Sequence, residues 1–264
     1  MVDKLINIIK KLAVPKVILR YIMMNFLDLT TINNLLLTIK EMNILDIYSK
    51  DLIIKATKGF IWNCQNGQLP VAQWLYYQGR IDANNDNVFI LSCEYGHLAV
   101  AEWIYSFGGV DIHANDNYAF KWSCRNGHLT VAKWLYLIGA DIHANSEYAF
   151  QLSCINGHLT VAKWIYSIGG VNIHADDEYA FRWSCKNGQL IAAKWIYSLG
   201  QKQANNSVNI HARDQDAFRW SCINGHLTVA KWLYSLGGVD IHARDRHVFR
   251  YANKDTLEWL NNLP

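Results

Sequence analysis

Apolar positions along this chain recur on two periods at once. In residues 118–139, Phe120 and Cys124 stand four apart. Leu129, Ala132 and Leu135 or Tyr136 follow at helical spacing, and Asn126-Gly127 and Gly139 interrupt the runs. Residues three and four apart share a helix face. Gly closes a helix at low cost because it accepts the left-handed conformation. The short period therefore predicts two short helices joined by a tight turn. The polar stretch ADIHAN that follows is too short for an element of its own and too polar for core, so it predicts a turn or β-hairpin.

The longer period is the return of that whole pattern. Cys64, Cys93, Cys124, Cys154, Cys185 and Cys222 follow one another at steps of 29, 31, 30, 31 and 37 residues. A Phe stands four before each Cys, a Gly three after it and a Trp ten after it. SCINGHLTVAKW occurs identically at 153–164 and 221–232. A period near 30 is the mark of a stacked array, in which no unit buries its apolar face without a neighbour. A shortened seventh copy runs from Phe249 to Trp259, with the Phe-to-Trp distance cut from 14 to 10. Between Gly200 and Val208 the chain carries six more residues than between Gly169 and Val171, a polar loop insertion. The expected organisation is a non-repeating segment at 1–57, six repeats at 58–248 and a capping copy at 249–264.

The frame resembles the ankyrin repeat. Phe120 stands at the first Leu of that family's Thr-Pro-Leu-His. Gly127-His128-Leu129, Val131 and Leu135 follow its second helix, and Gly139 to Ala144 follow its closing loop. The resemblance covers residues 58–248. It implies an all-α, ankyrin-type helix-turn-helix repeat solenoid with short β-hairpin loops, preceded here by an N-terminal helical segment. Two departures matter. Thr-Pro is replaced by Tyr118-Ala119, Tyr148-Ala149 or Tyr179-Ala180, and the family's His by Lys121, Gln151, Arg182 or Arg219. Aromatic packing is expected to replace the hydrogen-bond network that the family builds there. The Trp-rich, Cys-bearing repeats with DIHA loops are also similar to ankyrin proteins of giant DNA viruses of the mimivirus type.

Composition adds limits. The chain is 51% apolar and 18% charged, which excludes disorder. No run of 18 apolar residues exists, so no membrane span is expected. Lysines and Arg20 break the N-terminal apolar stretch, so no secretory signal is expected. Net charge is +3 and pI about 8.4. That mild excess, with acidic loops at Asp176-Asp177 and Asp214 to Asp216, argues against nucleic acid as the partner.

The repeated Ser, Cys and His could carry chemistry. Adjacent Cys cannot pair, because helix layers lie about 8–10 Å apart and a disulfide needs Cα atoms within about 7 Å. They are expected to be free and buried, in a reducing cytoplasmic setting. Each repeat offers at most three zinc ligands, and Gln68 and Gln189 replace the His in two repeats, so no metal is expected. The second His series, His113, His143, His174, His211 and His242, reads as loop anchors. A Ser copied before each of five Cys is scaffold and not a nucleophile. No catalytic, cofactor or metal residue is assigned, and a monomeric, non-catalytic interaction module is expected.

Binding residues are sought where the repeats differ. Directly after the Phe stand Lys121, Gln151, Arg182, Arg219 and Arg250. One further on are Trp122, Trp183 and Trp220, and just after the Cys are Arg125 and Lys186. Basic and aromatic side chains together suit an acidic surface of a protein partner. The Lys/Arg series is expected to lie exposed in a row. The exposed Lys133, Lys163, Lys194 and Lys231 of the second helix are expected to keep the outer face wet. Residues 15–35 resemble the start of an F-box through Pro15, Ile18-Leu19, Ile22, Leu27-Asp28 and Ile32 to Leu35. That likeness implies an adaptor role in a cullin-type ubiquitin ligase; the other reading of the segment is a helical cap.

Overall fold

The computed structural model describes residues 50–77, 86–202, 207–242 and 248–263. The F-box-like segment and most of the insertion after Gln201 lie outside the described residues. Each repeat forms two helices joined by a Gly turn: α1 (Lys50–Gln65) and α2 (Leu69–Tyr77), α3 (Asp86–Glu94) and α4 (Leu98–Tyr105), α5 (Ala114–Arg125) and α6 (Leu129–Leu137), α7 (Ala144–Ile155) and α8 (Leu159–Ile168), α9 (Ala175–Lys186) and α10 (Leu190–Gln201), and α11 (Ala212–Ile223) and α12 (Leu227–Ser235). The shortened copy contributes residues 248–251 and α13 (Lys254–Asn261). This is the helix-turn-helix repeat solenoid that the periodicity predicts.

Two compact units divide the chain, Met1–Asp111 and Ile112–Pro264. In the first, α1 packs on α2 and α3, and α3 on α4. In the second, the first helices stack in the order α5, α7, α9, α11, each backed by its own second helix, and α13 packs on α11.

The periodic positions form the core. All six Cys and the Phe residues four before them are buried. On the second helix, Val131, Ala132 and Leu135 and their counterparts are buried as well. The Trp side chains lock one repeat to the next. Trp164 packs against Phe120 and meets Tyr136 edge-on, with centroids 6.4 and 6.0 Å away. Trp195, Trp232 and Trp259 do the same one, two and three repeats on.

The loops depart from expectation. Among the described residues no strand forms, so the β-hairpin option does not hold. The reason is local. In each loop from 139 onward an Asx turn forms first, as when the His143 backbone N–H donates to Asp141 Oδ1 at 2.9 Å. Three consecutive residues then adopt left-handed φ: 115–117, 145–147, 176–178 and 213–215, all between 51° and 69°. No extended run is left to pair, and the right-handed part of the first helix starts only at Tyr118, Tyr148, Tyr179 and Asp216.

Candidate functional site

The left-handed turn sets what the side chains after the Phe can do. Several of its carbonyls take side-chain donors. Gln151 Nε2 donates to the Ser146 carbonyl at 2.7 Å. Arg182 Nε and Nη2 donate to the Asp177 and Asp176 carbonyls at 2.6 and 3.0 Å. Arg219 Nε donates to the Asp214 carbonyl at 2.8 Å. The expected replacement of this network by aromatic packing is therefore corrected: a network is present, made by longer donors.

The same contacts overturn a second expectation. Lys121, Arg182 and Arg219 do not form an exposed row; they are 8%, 5% and 2% exposed. Arg182 Nη1 bonds Asp216 Oδ2 at 3.0 Å, and Arg219 Nη2 bonds Asp216 Oδ1. Two guanidiniums thus share one carboxylate. Burying such charge is tolerable only when each is paired and hydrogen-bonded. Arg250 alone of the basic series is exposed.

What remains accessible is a face of the first helices in the second unit. Tyr118, Trp122 and Arg125 stand at i, i+4 and i+7, which places them on one helical stripe. Tyr179, Trp183 and Lys186 take those places in α9 and Asp216, Trp220 and Ile223 in α11, whereas in α7 they are held by Tyr148 and the buried Leu152 and Ile155. Arg125 lies over the Trp122 ring at 4.1 Å from its centroid. Lys186 is held between two indoles, its ammonium 3.7 Å from the Trp183 centroid and 4.5 Å from that of Trp220. No carboxylate lies within ion-pair distance of Lys186 among the described residues. Trp122, Trp183 and Trp220 are half-buried and Arg125 is exposed. Of the sequence-predicted site residues, these five share the stripe.

Between α9 and α11 this stripe opens into a cleft of about 160 Å³ lined by Tyr179, Arg182, Trp183, Lys186, Arg213, Asp216 and Trp220. Sequence reasoning missed Tyr179, Arg213 and Asp216. The signal was there: Tyr118, Tyr148 and Tyr179 each stand two before the Phe, and Asp216 breaks that column.

Most of the candidate chemical groups are otherwise engaged, the buried Ser184 hydroxyl being without a hydrogen-bond partner among the described residues. Ser92, Ser123, Ser153 and Ser221 hydroxyls donate to carbonyls of their own helices at 2.7–2.8 Å. All six cysteines are free and buried. Burial pushes the Cys64 and Cys222 thiols up to about 12, and the other four higher. They are therefore neutral, poor nucleophiles at physiological pH. The His after the turn Gly packs on the preceding repeat: a Cβ on Gly127, at φ +81°, would lie 2.5 Å from His158 Nδ1. The loop His residues are anchors, His143 to Glu147 at 2.8 Å and His174 to Glu178 at 2.7 Å. These glutamates also accept backbone N–H bonds from the next loop, at Asn172 and Asn209. Among the described residues no cluster of three His, Cys, Asp or Glu could hold a metal ion, and no helix is long and apolar enough to cross a membrane.

Residues 60–146 match the family model described as ankyrin repeats (3 copies). No curated protein matches the chain.

Proposed function

We propose that this chain, which carries ankyrin repeats, is a non-catalytic module that binds an acidic surface of a partner protein through the aromatic-basic stripe of its second unit. Ankyrin repeats are a general protein–protein interaction module. The observation that carries the finer reading is Lys186, a cation braced by Trp183 and Trp220 with no carboxylate of its own among the described residues. Bracing fixes the ammonium before binding, so little ordering entropy opposes an incoming anion. Arg125 on Trp122 repeats the arrangement two helices away, and Arg250 adds an exposed charge in the shortened copy. Trp and Arg are the residue types that most often anchor interfaces. The buried, free thiols fit work in a reducing compartment, and the viral likeness of the repeats would make the partner a host protein.

The test is selection from a displayed random-peptide library. Ligands rich in Asp and Glu are expected. The double reversal Arg125→Glu with Lys186→Glu should slow association at low ionic strength, and the difference should shrink in high salt, where the Debye length falls to about 3 Å. Selection of neutral or basic ligands, or equal association rates for parent and double mutant at low salt, would place the binding surface elsewhere.

The F-box-like residues Pro15 to Leu35 support a second reading, a ubiquitin-ligase adaptor whose repeats hold the target. Deleting residues 1–57 should then remove a Skp-type adaptor from material co-purified with the full chain while target binding persists. Retention of that adaptor by the deleted form, or its absence from the full chain's material, rules this reading out.

A further inference from the structure

The interruption of the Tyr column at Asp216 has a geometric consequence. In α7 the column residue Tyr148 offers its ring to the preceding repeat, and the Lys121 ammonium lies 5.8 Å from the ring centroid. Two repeats later the equivalent cation, Arg182, meets the Asp216 carboxylate of the following repeat where Lys121 meets a ring. A four-atom side-chain head stands where a phenol would stand, and the cleft of about 160 Å³ lies at this place. That volume equals on the order of five liquid waters and is on the scale of one aromatic side chain.

The walls restrict the occupant. Tyr179 stacks on Trp183 with centroids 5.1 Å apart, and Trp220 faces them across Lys186, so the sides are aromatic. Arg182 and Asp216 also line it, and behind them the Asp216 carboxylate answers a second guanidinium, that of Arg219. At the rim, Arg213 is paired with Asp177 at 2.9 Å, whereas Lys186 lies against two indoles and has no ion pair among the described residues. A cationic occupant would have to displace Lys186 and then face two guanidiniums. Complementarity of charge and shape favours an aromatic ring flanked by carboxylates.

We infer that the Tyr179–Trp183–Trp220 cleft at Asp216 is the specificity pocket of this face, and that it takes a Phe or Tyr side chain from an acidic peptide segment whose carboxylate pairs with Lys186. The inference rests on the acidic-partner reading above and names the side chain that reading leaves open. The ring would supply the contact that Tyr118, Tyr148 and Tyr179 make available in the three preceding repeats and that Asp216 does not, stacking edge-on or offset on the indoles.

The chain supplies its own controls. Tyr occupies the column in three other repeats, so Asp216→Tyr fills the cleft with a residue the frame accepts. Leu stands at the Trp220 position in α3 and α7, as Leu91 and Leu152, so Trp220→Leu removes a wall with a residue the frame also accepts. The probe is the capped peptide Glu-Glu-Phe-Glu-Glu, compared with its Phe→Ala form and with the form in which every Glu is Lys. Binding to the full chain is followed by the tryptophan indole N–H signals in NMR and by calorimetry, with thermal melts confirming that each variant is folded. The Phe peptide should bind and shift the Trp183 and Trp220 indole signals. Phe→Ala in the peptide, Asp216→Tyr and Trp220→Leu should each weaken binding by about tenfold, the effect of losing one well-packed aromatic contact. Lys133→Glu, on an exposed second helix, should leave it unchanged.

The pocket is refuted if folded Asp216→Tyr and Trp220→Leu bind the Phe peptide as tightly as the parent. If in that case the all-Lys peptide is still rejected and Lys186→Glu still weakens binding, the acidic-partner reading stands and only the pocket falls. If the parent binds neither Phe nor Ala peptide at low millimolar concentration, both fall.

Discussion

Arg182 shows how one side chain can decide the character of a repeat. Its guanidinium donates to two carbonyls of its own left-handed turn and to Asp216 of the next repeat. Arg182→Ala removes those donors at once, together with a buried guanidinium and its ion pair to Asp216. Stability should fall by about 3 kcal/mol. Arg182→Gln should lose less than Arg182→Ala, because Gln151 meets the equivalent turn carbonyl one repeat earlier. Urea unfolding of both variants checks the order. His158 carries a pH dependence. Burial against the preceding repeat holds its pKa below the ordinary 6.5, opposed by a hydrogen bond to the Arg125 carbonyl. The folded state therefore binds this proton less readily than the unfolded chain does. The stability it contributes is present above about pH 6.5 and is lost as the pH falls through the lower, folded value. His158→Gln places there the residue that Gln189 already is in the next repeat, and should flatten the slope of melting temperature between pH 7 and 5 relative to the parent.

At the scale of the element, the notable device is the left-handed turn that opens each first helix. For residues with a Cβ this conformation costs roughly 1–2 kcal/mol each, least for Asn and Asp, which stand at Asn115, Asp116, Asn117, Asn145, Asp176, Asp177 and Asp214. The turn persists because its neighbours over-determine it. Gln or Arg meets its carbonyls, and its third residue accepts a backbone N–H from the following loop: Asn117 from Asp141, Glu178 from Asn209 and Gln215 from Asp240, at 3.0–3.1 Å. Ser146, at φ 55°, tests this account. Ser146→Val should destabilise by about 1–2 kcal/mol, since a β-branched residue is poorly tolerated there. Ser146→Gly should not, since Gly carries no such penalty. Thermal melts of the two variants should separate in that order. Equal melting temperatures would mean that the turn relaxes to an ordinary conformation.

At the scale of the stacked repeats, stability should depend on neighbours more than on any one repeat, because in the second unit each first-helix Phe and second-helix Tyr from Phe120 on packs against the Trp of the next copy. In the second unit the last cover is Trp259, which packs edge-on against Phe218 and Tyr234 at 6.3 and 5.7 Å. The shortened copy also supplies Asn253 where other repeats place His or Gln. It stands against Gly225 and caps α13 by accepting from the Thr256 N–H at 3.0 Å. Trp259→Ala should cost about 2 kcal/mol, less than a fully buried Trp because this ring is only half-buried. Removing residues 249–264 should lower the melting temperature further and promote aggregation, by exposing the apolar side of the preceding repeat. Light scattering and a thermal melt read both effects. A truncated chain that remains unaggregated and equally stable would show that this copy does not cap the stack.

The sequence by itself determined what depends on period and local geometry. The Phe and Cys rows had to be core because they recur four apart at every repeat, and the Gly had to turn because two helical runs meet there. The Ser row had to be buried because it adjoins the Cys row on every first helix, and four of its five hydroxyls donate to a carbonyl of their own helix. Residues at i, i+4 and i+7 of the first helix also belong together on any helix, so Trp122 with Arg125 and Trp183 with Lys186 were legible. Only the tertiary structure decided the fate of the long basic side chains. Lys and Arg can lay their stems along apolar surface with the head turned either way, and nothing in the residue type says which. Arg182 and Arg219 turned inward because turn carbonyls and the Asp216 carboxylate meet them there, Asp216 lying in the next repeat for Arg182 and on the same helix for Arg219, and Lys121 because the Tyr148 ring of the next repeat lies beside its head. The loops failed as hairpins for the same reason, since three successive left-handed residues are a strained local state that neighbouring donors stabilise. The cleft at Asp216 exists only once α9 and α11 are stacked, because an Asp in a column of Tyr becomes a space only when the rings on either side are fixed.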